Sequence, residues 1–188
     1  MAGKMKLHAT CATIICFIFL QPQSATASSF CENLHRVTAS SDNNFSEIID
    51  SHKKDQWLTD HYIHETIPIF EWEKNGAAGN VSGPQNVRYY VELDARGYSP
   101  GSEKETRRSF KYFSSMVDSC YPGSTKKNAS YQDEYTYKGY LHWVKLENGL
   151  NITISANTCD RNPRCIEHVA MDVRRGPLDE DELKHFKQ

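Results

Sequence analysis

The chain has 188 residues, 38% of them hydrophobic and 24% charged, which suits one compact domain with short extensions. Ten Gly and seven Pro exclude collagen-like or low-complexity character. With 22 Lys and Arg against 24 Asp and Glu, no net basic field marks the chain for nucleic acid or acidic membranes.

Lys4 and Lys6 precede the apolar run Ala12 to Leu20, and a polar stretch then closes in Ala25-Thr26-Ala27, the small-x-small form of a signal-peptidase site. Together these predict a secretory leader over 1–27, cleaved after Ala27. The apolar run is nine residues, about half of the ~20 that span a bilayer. No Cys follows it at a lipoprotein-type cleavage point, so no stable membrane anchor is expected after cleavage. What remains divides into a single domain over 28–176 and a polar tail over 177–188. That product keeps 20 basic and 24 acidic side chains, a formal charge of −4.

Cys11 and Cys16 leave with the leader; Cys31, Cys120, Cys159 and Cys165 stay. An even cysteine number in an exported chain predicts two disulfides, for which three connectivities exist. The turn-rich Asp160-Arg161-Asn162-Pro163-Arg164 can bring Cys159 to Cys165, which makes Cys31 with Cys120 the preferred second pair. The spacing lacks the C-x-x-C pair of a zinc site.

Phe30, Leu34 and Val37 fall at helical steps, so a first helix is expected over 29–40, broken at Asp42-Asn43-Asn44. Phe45, Ile48 and Ile49 form a short apolar patch suited to a further helical turn. His61 to Glu71 reads as a strand weakened at Pro68, and Asn75 to Gln85, rich in Gly and Asn, as a loop. Val87, Tyr89, Val91, Leu93 and Ala95 alternate with Arg88, Tyr90, Glu92, Asp94 and Arg96, the cleanest half-buried strand in the chain. Ser102-x-x-Glu105 has the form of a capping box; it opens a helix whose Phe110, Phe113, Val117 and Cys120 share one face, and Pro122-Gly123 ends it. The two cysteines then fit antiparallel helices lying side by side.

Tyr135 to Leu146 and Leu150 to Ala156 flank Asn148-Gly149, a dipeptide favoured in type I′ hairpin turns. In the second of these strands Leu150, Ile152 and Ile154 oppose Asn151, Thr153 and Ser155. A last strand alternates Glu167, Val169, Met171 and Val173 with Ile166, His168, Ala170 and Asp172. The tail from Pro177 to Gln188, acids first and lysines last, suits a short helix. The order α, β, β, α, β, β, β predicts an α+β fold: two helices on one face of a mainly antiparallel, disulfide-stapled sheet of about five strands, the other face wet.

Gly97-Tyr98-Ser99-Pro100-Gly101 matches G-x-S-x-G between a strand and a helix, the setting of a nucleophile elbow. Pro100 lacks the N–H that an oxyanion hole would use, so Ser99 is only a weak catalytic candidate and a turn into the helix is the simpler reading. Of the histidines, His61 and His64 sit three apart in a strand and should not share a metal. His168 and Asp172 share a polar strand face, with His142 expected on a neighbouring strand. Glu92 and Asp94 have Arg88 and Arg96 two residues away along one strand face, which suggests ion pairing rather than acid/base work. No P-loop, dinucleotide fingerprint or H-E-x-x-H is present, and no metal or cofactor is expected.

Tyr90, Tyr135, Tyr137, Tyr140, His142 and Trp143 form the candidate binding surface, an aromatic, hydrogen-bonding set of the kind found at interfaces; core packing is the competing account. Asn44, Asn80, Asn128 and Asn151 each open an N-x-S/T sequon, meaningful only in a glycosylating host. The sequence therefore points to an exported, non-enzymatic protein that engages another protein in an inhibitor, immunity or chaperone-like role. A small-ligand carrier using the groove between helices and sheet is the alternative, followed by a small hydrolase. The oligomeric state stays open.

Overall fold

The structure is a computed structural model, and it describes residues 23–50, 56–58, 61–70, 80–82, 87–97, 99–132, 138–159, 165–178 and 180–186. Five long antiparallel strands, β4 (Arg88–Gly97), β5 (Thr125–Gln132), β6 (Lys138–Lys145), β7 (Leu150–Thr158) and β8 (Ile166–Arg175), carry two long helices, α1 (Gln23–Ser40) and α2 (Ser102–Cys120). Three short strands, β1 (Gln56–Leu58), β2 (His61–Glu65) and β3 (Asn80–Ser82), extend one side. The sheet order is β1-β2-β3-β4-β8-β7-β6-β5. The expected α+β class is borne out, as are both disulfides: Cys31 to Cys120, with Cα atoms 5.2 Å apart, and Cys159 to Cys165 at 6.0 Å.

The core forms where the helix stripes meet the apolar strand face. Phe30, Leu34 and Val37 of α1 and Val117 of α2 bury against Val91, Ile152, Ile154, Met171 and Val173. At the end of α1, the Ser40 and Ser41 hydroxyls donate back to the Val37 and Thr38 carbonyls at 2.7 and 2.6 Å, drawing off acceptors that the helix end leaves unpaired. Asn44 and the buried Phe45 then take left-handed backbone angles (φ 52° and 59°), and a 3-10 turn over Ser46–Ile48 follows. That turn is the expected extra helical piece, with Ile49 already extended.

Several local expectations are corrected. Cys31 lies mid-way along α1 rather than at its start, and the helix contacts ascend together. Phe30 meets Phe113 at 6.4 Å, Cys31 bonds Cys120, and Thr38 bonds Tyr121 at 2.9 Å, so α1 and α2 are not antiparallel. The capping box does not form. Gly101 (φ 93°) is the cap residue and Ser102 already belongs to the helix. Its hydroxyl turns back to donate to the Ser99 carbonyl at 2.7 Å, while Glu105 pairs with Arg96. The β6–β7 turn is not type I′, because Gly149 (φ 83°) has positive φ and Asn148 does not. Leu146 and Leu150 close a three-residue loop with the glycine in the left-handed position.

Part of the expected loop Asn75–Gln85 is β3, paired with β4 through Val81 and Tyr89. β5 was invisible as a strand because Thr125 to Ser130 has no apolar alternation. A bulge between Glu92 and Asp94 breaks the β4 register. Glu92 opposes Ala170 on the far face, whereas Asp94 and Arg96 oppose Val169 and Glu167 on the helix face, so Glu92 does not share their face. Asp94 and Arg96 do pair with each other, and Arg88 pairs with Asp172 at 3.6 Å across strands.

The face away from the helices is not simply wet, since Asn151, Thr153 and Arg174 are buried there. The short helix α3 (Glu180–His185) folds the tail against this side, with His185 stacked on Tyr131 at 4.2 Å and Phe186 5.9 Å from Trp143.

Candidate functional site

Helix α2 packs chiefly over β7 and β8, while the chain it leads into forms the sheet edge β5. The helix-side faces of β5 and β6 are therefore only partly roofed. The result is a groove of about 530 Å³, walled by Phe110, Ser114 and Asp118 of α2 and by Asn128, Tyr140 and His142 of the sheet. Its two rails run in opposite senses. Lys126 of β5 reaches Asp118 at 3.1 Å near one end. Towards the other end Tyr140, which opposes Ser130, meets Phe110 at 5.8 Å and lies under Arg107 at 5.2 Å.

The middle of the groove is organised by a buried histidine. His142 opposes Ile154, so the register sets it on the helix side, not on the polar face with His168 and Asp172. Its Nδ1 lies 2.8 Å from Asn128 Oδ1 and its Nε2 3.0 Å from Asp118 Oδ1. Both ring nitrogens are thus engaged, and metal ligation or proton abstraction by this ring would require breaking one of these bonds. The Tyr140 hydroxyl donates to Glu103 Oε1 at 3.4 Å. Burial pushes its pKa above the usual phenol value and the Glu103 carboxylate adds to this, while Arg107 and Lys138 oppose it. The Ser114 hydroxyl is buried with no hydrogen-bond partner among the described residues.

The candidate aromatic surface is split by the pleat. Tyr140 and His142 belong to the groove, whereas Tyr90 and Trp143 lie on the far face, in the row Tyr90, Asp172, Thr153, Trp143 set by the pairing of β4, β8, β7 and β6. Trp143 donates its indole N–H to Asn151 at 2.9 Å and is flanked by Lys127. Burial raises the Tyr90 pKa, with the Glu92 and Asp172 carboxylates adding and Arg88 opposing. Tyr135 and Tyr137 lie outside the described residues. Ser99 is exposed and its described hydrogen bonds are backbone ones, to Ser102, with no histidine or carboxylate bonded to it. His61 and His64 fall in β2, His52 lies outside the described residues, and among the described residues no three His, Cys, Asp or Glu cluster as a metal site.

Sequence reasoning missed Asp118, Ser114 and Lys126, and read Asn128 only as a sequon. A signal existed for the helix residues: Arg107, Lys111, Ser114 and Asp118 recur at steps of four, three and four, a second stripe beside the apolar one. A further polar hollow of about 580 Å³ lies beside the Cys31–Cys120 bridge, lined by His35, Thr38, Tyr121 and Glu147. No protein family, curated protein or solved structure matches this chain.

The molecule is thus a disulfide-bonded α+β protein, and its two bridges fit an oxidising compartment. Among the described residues, no helix is long and apolar enough to cross a membrane.

Proposed function

We propose that this is an exported binding protein that receives an extended segment of another protein along β5, with alternate side chains of that segment entering the groove beneath α2. The observation that carries this reading is the position of β5: it ends the sheet, with no described strand on its outer side, and the groove lies against it. An edge strand presents unpaired N–H and C=O groups, so an added strand gains main-chain hydrogen bonds, and a neighbouring pocket for every second side chain gives selectivity. Phe110 and Tyr140 offer apolar contact there, while the exposed Ser115, Asn128 and Ser130 offer polar contact. The leader expected from the sequence over 1–27 and the two disulfides support an extracellular or periplasmic setting.

Panning random displayed peptides on the oxidised protein, followed by backbone-amide NMR, tests this reading. Selected peptides should shift amides of β5, β6 and α2. Peptides that shift only the far face or the hollow beside Tyr121 would overturn it. The groove volume also lies within the range of small-molecule pockets, about 300–1,000 Å³. A small ligand retained in native mass spectrometry, and lost from a Ser115→Trp variant, would favour a carrier instead.

A further inference from the structure

We infer that the segment docked along β5 is acidic. This rests on the groove reading above and adds to it the chemistry of the partner. Lys104, Arg107 and Lys111 stand at steps of three and four along α2, so they share the helix flank that borders the groove. Arg107 lies over the Tyr140 ring and Lys111 lines the groove itself. All three are exposed, as is Arg108 one step further round the helix.

The acids of this region are already committed. Glu103 is held by Lys138 at 3.6 Å and by the Tyr140 hydroxyl. Glu105 pairs with Arg96, and Asp118 pairs with Lys126 and His142. Among the described residues no carboxylate forms an ion pair with Lys104, Arg107, Arg108 or Lys111. The rim is therefore positive on a chain whose acids outnumber its basic residues, 24 to 22. Such a local field favours carboxylates on the incoming segment and speeds its encounter at low salt.

The spacing fits an extended ligand. Arg107 and Lys111 are about 6 Å apart along the helix axis. Alternate residues of a strand, which point to the same side, are about 6.6 Å apart. Since α2 and β5 run alongside each other, two acids at alternate positions would meet these two cations in register.

Fluorescence anisotropy with the oxidised full-length protein tests the inference, using three labelled eight-residue probes. One alternates Glu with Val, one replaces each Glu by Gln, and one replaces each Glu by Lys. Single exposed ion pairs are weak, so two or three acting together should favour the Glu probe over the Gln probe by about tenfold at low ionic strength. That preference should collapse in about 0.5 M salt and reverse toward the Lys probe in Arg107→Glu/Lys111→Glu. Arg36→Glu, which makes a charge reversal on α1, should leave it unchanged. Equal, salt-insensitive binding of the Glu and Gln probes would overturn the acidic inference and leave the groove reading standing. If displayed peptides do map to the groove, yet only a sulfated oligosaccharide and not the Glu probe responds to the double reversal, the inference also fails, and the stripe serves a polysaccharide.

Discussion

His142 Nε2 sits 3.0 Å from Asp118 Oδ1 beneath α2, and the same carboxylate oxygen holds Lys126 at 3.1 Å. The two partners differ in environment: the His142 side chain is 3% exposed, that of Lys126 27%. Losing the carboxylate strands a buried ring nitrogen, whereas losing the ammonium removes a solvent-screened pair. Asp118→Ala should therefore lower unfolding free energy by about 1–3 kcal/mol and Lys126→Ala by less than ~1 kcal/mol. Urea titrations of both variants check this, and equal losses would contradict it.

The two disulfides should contribute unequally. Cys31 and Cys120 are 89 residues apart in sequence and Cys159 and Cys165 only 6. By chain entropy the long loop is worth about 4–5 kcal/mol and the short one about 2 kcal/mol. The paired variants Cys31→Ser/Cys120→Ser and Cys159→Ser/Cys165→Ser, compared by denaturant unfolding, should show that order. The long bridge also ties α1 to α2, so its loss should release protection from hydrogen exchange along α1 first.

Glu167 is fully buried on the helix face of β8, where its carboxylate accepts from Thr106 Oγ1 at 2.6 Å and from the Cys159 N–H at 3.1 Å. It locks the end of β7 and the first turns of α2 to the same strand. Thr106→Val removes one donor while the carboxylate stays buried, so a loss of about 1.5–3 kcal/mol is expected. Glu167→Ala leaves the Cys159 amide unpaired and adds a cavity, and should exceed it. A smaller loss for Glu167→Ala than for Thr106→Val would show that the carboxylate is a net burden there.

Gly139 has its missing side chain replaced by the Tyr131 ring, which occupies the space a Cβ would take. Tyr131 in turn donates to Asn157 at 2.9 Å and stacks on His185 of α3. Gly139→Ala should displace the ring, loosen α3 and destabilise the protein by about 1–3 kcal/mol. Tyr131→Ala alone should also destabilise, but adding Gly139→Ala to it should cost little further. An additive double variant would contradict the proposed contact.

These particular contacts explain what the sequence made legible. Strong alternation in Tyr89 to Leu93 and in Leu150 to Ile154, together with the stripe Phe30, Leu34, Val37, reports burial directly, so the core and its layers follow from the chain. The β4 bulge did not: one extra residue leaves the local alternation intact but moves Asp94 and Arg96 to the helix side. Nor did β5, an edge strand whose residues bury little and so carry no apolar signature. The groove depends on both β5 and the path of α2 over β7, which is why Tyr140 and His142 were recognised but joined to Tyr90 and Trp143, across the sheet from them.

Three partly buried phenols should shape the response of stability to alkaline pH. Tyr121 is held by Thr38 Oγ1 at 2.9 Å and packs edge-on against His35 at 5.1 Å; burial raises its pKa above the usual value of 10.0, the Thr38 hydrogen bond opposing this. Burial likewise raises Tyr90 and Tyr140, with carboxylates adding at both. A phenol whose folded pKa exceeds its unfolded one holds its proton more tightly in the native state. The resulting stabilisation is complete below the unfolded value and is lost as pH rises through the folded value. Unfolding free energy from these groups should therefore be flat through neutral pH and fall above about pH 10. Tyr121→Phe removes one titrating group but also the bond to Thr38, so it should lower stability at neutral pH while making the alkaline decline shallower. Urea titrations at stepped pH, with tyrosinate absorbance read in parallel, check both parts; an undiminished alkaline slope in the variant would show that Tyr121 does not contribute to it.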